Sequence, residues 1–100
     1  MSAEYRSRTR IAADHPCLAG HFPGNPIVPG VVLLDRVAAA LREYQGSQAW
    51  IRKFGNVKFL SLLRPEEDLD ILLQGEGSPM HFRCSCGERT LSQGSFEWSC

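Results

Sequence analysis

The chain has 100 residues, 43% of them hydrophobic, and its 11 Lys plus Arg balance 11 Asp plus Glu. That length supports one domain with one small core, near the lower edge of self-sufficiency, so pairing with a second copy is expected. Balanced charge gives no field to recruit nucleic acid or an anionic membrane, and no run has the apolar length of a signal peptide or of a membrane span of roughly 20 residues. The sequence predicts a single cytoplasmic domain over residues 1–100.

Residues 5–13, YRSRTRIAA, alternate loosely and predict a first strand. DHPCLAGHFPGNPIVPG follows as a loop, its Gly and Pro residues disfavouring regular structure and fixing an irregular path. The one long predicted helix is VVLLDRVAAALREYQG, which starts after Pro29 and Gly30 and stops at Gly46. AWIRKFGNVKFLSLL, DLDILLQGEG, MHFRCSCG and RTLSQGSFEWSC then read as strands. They are aromatic or branched, partly alternating, and separated by Pro65, Gly75, Gly77, Pro79 and Gly87. One helix with four or five strands predicts an α+β fold, an antiparallel sheet curled around a single helix.

The four cysteines are Cys17, Cys84, Cys86 and Cys100, and their spacing matches none of the usual paired zinc patterns. His15, Cys17 and His21 are close in sequence but share no helical face. Cys84 and Cys86 point the same way on a strand and read as reduced, half-buried small hydrophobes. No metal site is predicted.

Asp35 sits on the helix with Val31, Val32, Ala38 and Ala39 three and four positions away, so its carboxylate emerges among apolar neighbours. Two readings stand. Asp35 is a solvated acid favoured by the helix dipole, or it faces a pocket where burial raises its pKa for proton exchange. Arg36 has similar neighbours, so position alone does not decide. Upstream, His21 lies in the rigid loop, and the first helical amides, at Gly30 and Val31, lack internal partners. An imidazole, a carboxylate and an oxyanion-binding amide would then converge, against the plainer alternative of a His held by a structural hydrogen bond.

The segment HFPGNPIVPGVVLLD resembles the active-site segment of the bacterial beta-hydroxyacyl-acyl carrier protein dehydratases, which have the hotdog fold. Their pattern is a His, a Phe-Pro-Gly or close to it, a Pro, a Met-Pro-Gly or similar, and a Glu or Asp fourteen places after the His, which here spans His21 to Asp35. The Asp is similar to the dehydratase-isomerase branch and FPGNP to the general dehydratases. Length and mixed pattern resemble the small stand-alone dehydratases of aryl polyene and related specialised lipid pathways. The motif covers residues 15–35. NVKFLSLLRPEEDLDI is similar to the family's strand, turn and strand after the helix, with RPEEDL where a Pro-Gly-Asp turn is common.

The resemblance implies a hotdog domain acting on a 3-hydroxyacyl chain held by thioester on the phosphopantetheine arm of an acyl carrier protein, with no metal or redox cofactor. His21 would remove the proton next to the carbonyl, Asp35 would deliver a proton to the departing hydroxyl, and the Gly30 and Val31 amides would bind the carbonyl oxygen. The Ile27 carbonyl would orient the imidazole, and Phe22, Pro23, Gly24, Val28 and Pro29 would line the pocket. It also implies a homodimer or a trimer of dimers, with His21 of one subunit facing Asp35 of the other. Two departures stand out: Ala39 replaces a Gln that often bonds the helical acid, and Val28 replaces the usual Met. A hotdog thioesterase and a noncatalytic acyl-thioester binding subunit are the alternatives.

Overall fold

The computed structural model describes residues 3–14 and 27–100. Its elements are β1 (Glu4–Arg10), α1 (Gly30–Gln45), β2 (Trp50–Phe59), β3 (Asp68–Gln74), β4 (Met80–Cys86) and β5 (Arg89–Ser99). The strands form one antiparallel sheet in the order β1-β3-β4-β5-β2. β2 therefore crosses over to pair with the last strand, and β1 and β2 are the two edges.

Alternation decides which face of the sheet is covered. In β3, Leu69, Ile71 and Leu73 are buried while Asp68, Asp70 and Leu72 point the other way; in β4, Met80, Phe82 and Cys84 are buried between His81 and Arg83. Against this inner face lies α1, whose buried residues Leu33, Val37, Ala40 and Leu41 form one helical stripe. Phe54, Phe82 and Phe96 complete the core on the β2 side, with ring centroids 5.9 to 6.2 Å apart. At the opposite side Tyr5 stacks on Tyr44, with centroids 5.2 Å apart.

The helix ends lie where the punctuation places them. Pro29 precedes α1 in an extended conformation, and Gly46 closes it at φ 107°, its N–H donating to the Arg42 carbonyl at 2.9 Å. Two strands are shorter than their sequence patterns. β1 stops at Arg10 because the buried Ile11 turns its carbonyl to the Glu66 N–H, at 2.8 Å. β2 stops at Phe59 because the Leu60 and Ser61 N–H groups both turn to the Leu91 carbonyl, at 2.8 and 3.3 Å. Leu91 is the extra residue of a bulge, since Cys84 pairs with Ser92 and Ser85 with Thr90. The apolar run after β2 thus leaves the sheet and turns toward the start of the helix.

A candidate active site at the start of the helix

Two strips of chain meet at the entry to α1. The Val28 N–H donates to the Leu63 carbonyl at 2.9 Å, so the segment leading into the helix is tied to the segment leaving β2. Val28 is buried, and the Pro29 carbonyl accepts the Val32 N–H at 3.0 Å, tightening the first turn. The preceding donors, Gly30 and Val31, have no carbonyl one turn earlier within the helix, which leaves the positive end of the helix dipole at this point. No acidic side chain occupies the first turn.

Gly30 is shaped by what lies on it. A β-carbon there would come within 2.6 Å of Phe59 Cε1 and 2.9 Å of Cζ, so the ring occupies the space that any other residue at position 30 would need. Beside this contact is a pocket of about 320 Å³ lined by Val28, Val31, Leu33, Phe59, Leu62 and Leu63. It is apolar, with the first helical amides, which have no partner among the described residues, at its edge. Such a combination accepts a hydrocarbon chain ending in a polarised carbonyl.

A second depression, about 370 Å³, adjoins the first through Ser61 and Leu62 and is lined by Ile27, Arg64, Glu67 and Arg89. Glu67 is the hub here: its carboxylate accepts from the Arg64 N–H at 2.8 Å and from Arg89 at 3.1 Å. The Arg64 backbone donor first, and the Arg89 guanidinium after it, hold the Glu67 carboxyl below the usual carboxylate range. Cys86 donates to the same carboxylate at 3.8 Å, and its thiol is pushed up by burial and by that neighbouring charge. Burial pushes the Cys84 thiol up to about 12, which suits a core residue rather than a nucleophile. Among the described residues no cluster of His, Cys, Asp or Glu is placed to hold a metal ion.

Of the residues that the sequence singles out, Ile27, Val28, Pro29, Gly30 and Val31 come together at this entry. Asp35 does not join them within one chain. It is exposed, on the side of α1 opposite the Leu33, Val37, Ala40 and Leu41 stripe, one turn beyond Val31. Within this one chain its carboxylate points outward. Ala39, where relatives often carry Gln, is half-buried. His21, Phe22, Pro23 and Gly24, with His15 and Cys17, lie outside the described residues. The sequence reading missed Phe59, Leu62, Leu63 and the Glu67 cluster, all within or close to NVKFLSLLRPEEDLDI. The available signal was a run of four apolar residues and one Ser, from Phe59 to Leu63, too uniformly apolar for an exposed sheet edge.

Residues 2–95 match the family described as ApeI-like, ApeI dehydratase. Among curated relatives, the 3-hydroxyacyl-acyl-carrier-protein dehydratase FabZ of Lactobacillus helveticus is 36% identical over 68 residues, which are 61% of this chain and 46% of that protein. The FabZ of Chloroflexus aggregans is 33% identical over 73 residues, 66% of this chain and 51% of that one. The chain thus spans about half the length of these curated relatives. Among solved structures, the dehydratase heterocomplex ApeI:P from Xenorhabdus doucetiae superposes with a TM-score of 0.83 at 23% identity, covering 97% of this chain and 88% of that one. One helix held by a five-stranded antiparallel sheet is accordingly the hotdog architecture.

Proposed function

Because the chain belongs to the ApeI-like dehydratase family, we propose that it removes water from 3-hydroxyacyl thioesters carried by an acyl carrier protein, leaving trans-2-enoyl thioesters for fatty acid or aryl polyene synthesis. The observation that carries this reading is the pair of first-turn amides at Gly30 and Val31, which have no helical partner and none among the described residues, set at the rim of an apolar pocket. The acyl chain would lie in the pocket with its thioester oxygen at the Gly30 N–H, where the helix dipole favours the charge that builds as the neighbouring C–H breaks. His21 takes that proton. Its electrons form the new C–C double bond as the C–O bond of the 3-hydroxyl breaks, and Asp35 supplies the proton that lets the oxygen leave as water. The elimination is redox-neutral overall and needs no oxidant or reductant.

The outward Asp35 supports a site completed by a second chain. A carboxylate turned away from its own pocket can serve a pocket that another subunit presents, so we read the working unit as a homodimer with two shared sites, alone or as a trimer of dimers. The ApeI:P structure, being a heterocomplex, favours a second reading in which the other chain is a related dehydratase subunit. No described helix is long and apolar enough to cross a membrane, and we place the protein in the cytoplasm.

Incubation with 3-hydroxyacyl carrier-protein thioesters of several chain lengths, followed by product mass, tests the reaction. The expected product has lost one water, in the wild type and not in His21→Ala or Asp35→Asn. Free carrier thiol would instead identify a thioesterase, and unchanged substrate a noncatalytic binding subunit. Mixing His21→Ala with Asp35→Asn subunits should restore activity if the sites are shared between copies.

A further inference from the structure

The outer face of the sheet carries a row of cations that the reaction does not use. Arg6 of β1 stands opposite Leu72 of β3, Leu72 opposite Arg83 of β4, Arg83 opposite Gln93 of β5, and Gln93 opposite Lys58 of β2. Residues paired in this way share a face. This face looks away from α1, because Ile71 and Leu73 on either side of Leu72 are the ones in the core.

Two rungs on one side of it neutralise themselves across β1 and β3, whereas in this row Arg83 and Lys58 meet no carboxylate among the described residues. Arg8 pairs with Asp70 and Arg10 with Asp68, each at 2.6 Å. Along the row, Leu72 and Gln93 carry no charge, and among the described residues the only carboxylate within ion-pair distance of any of the three cations is Glu4, 3.5 Å from Arg6. Two depressions flank Arg83. One, about 500 Å³, lies between it and Arg6 over Leu72; the other, about 320 Å³, lies between it and Lys58 beside His81 and Gln93.

Spacing then selects the partner. Adjacent strands are about 4.8 Å apart, so cations on alternate strands recur at about 10 Å. Carboxylates seven residues apart on an α-helix recur at about 10.5 Å. We infer that this row is a docking surface for an acidic helix of a partner protein, laid across the strands with carboxylates at positions i, i+7 and i+14. Because the sheet curls around α1, its outer face bows toward the partner and Arg83 is met first. Its guanidinium can hold a carboxylate in two parallel hydrogen bonds, while the longer reach from Arg6 and Lys58 closes on the two ends. With a formal net charge of zero, the chain offers no distant pull, so the attraction is local and salt-sensitive.

The test uses the full chain and two fluorescent helical peptides of identical composition. One has Glu at i, i+7 and i+14; in the other the three Glu are consecutive. At low salt the heptad peptide should bind at least about five-fold more tightly, by anisotropy. Arg83→Glu and the milder Arg83→Gln should abolish that preference, Arg6→Glu and Lys58→Glu should reduce it, and Arg42→Glu, an exposed cation on α1, should leave it intact. Equal affinity for the two peptides, equal loss in Arg42→Glu, or an Arg83-dependent affinity for tripolyphosphate without any peptide preference would each overturn the assignment. Thermal melts of each variant separate loss of docking from loss of fold.

Discussion

The two edges of the sheet are finished in different ways. At the β1 edge the side chains flanking Arg6 find partners in the same chain. Arg8 and Arg10 hold Asp70 and Asp68, Tyr5 stacks on Tyr44, and the Tyr5 and Ser7 hydroxyls both donate to Glu43 of the helix, at 2.9 and 3.0 Å. At the other edge, where β2 gives way to the segment that meets the helix start, Val31, Phe59, Leu60 and Leu62 are 70, 54, 55 and 62% exposed. One side of the molecule is complete as a single chain, and the other displays an apolar patch contiguous with the candidate site. Scattered apolar residues are ordinary on a surface; a contiguous patch of them at the start of a helix marks a place to be covered.

The difference can be broken most severely at the unfinished edge. His21→Ala or Asp35→Asn should lower kcat/KM for a 3-hydroxyacyl thioester by about 10²- to 10⁴-fold, the span typical of a lost general acid or base, with the thermal midpoint little changed. Leu62→Glu comes next. It places a carboxylate in the apolar patch and should weaken self-association by about 30-fold, equivalent to roughly 2 kcal/mol, measured by light scattering across a dilution series. If Leu62→Glu keeps the same mass as the wild type at every concentration, the patch is not where copies meet.

The finished edge should be far less sensitive. Arg8→Ala removes an exposed pair, and urea midpoints should shift only slightly, with self-association and turnover unaffected. Acid sharpens the same contrast. Asp68 is held below its ordinary pKa by the hydrogen bond from Arg10 and the charge beside it. A depressed carboxyl contributes stability that is fully present above its unfolded pKa and lost as pH falls through its folded one. Asp68 therefore makes a small contribution that begins to fade below about pH 4 and is lost at lower pH, as the folded carboxyl protonates. Arg10→Ala should shrink the fall in urea midpoint between pH 5 and pH 3, while Leu62→Glu should not shrink it.

Much of the fold was legible because its signals are local. Pro29 with Gly30 and then Gly46 bracket α1, and alternation in DLDILLQ and MHFRCSC identifies the inner face of β3 and β4. Ends set by distant partners were not legible. Leu60–Leu63 reads as more strand, and only the bulge at Leu91 and the tie from Val28 explain why it leaves the sheet. The turn RPEEDL places Glu66 at φ 67°, a conformation that glycine takes more easily, while its side chain accepts the Ala13 N–H at 2.7 Å; neither fact is visible in the letters. The site was legible in part for the same reason. Its helix residues are fixed by spacing, whereas Phe59 reaches Gly30 across the fold. Counting neighbours three and four positions from Asp35 found apolar residues without showing that they lie on the outer side of the helix.

Phe59 on Gly30 also bears on how this sequence can change over generations. A methyl group at position 30 would push the ring aside, so change at position 30 is eased by a smaller residue at 59, while 59 can shrink alone. Lineages that keep an aromatic residue at 59 should keep glycine at 30. In a selection for activity starting from Gly30→Ala, suppressors should concentrate at Phe59 and be smaller than phenylalanine.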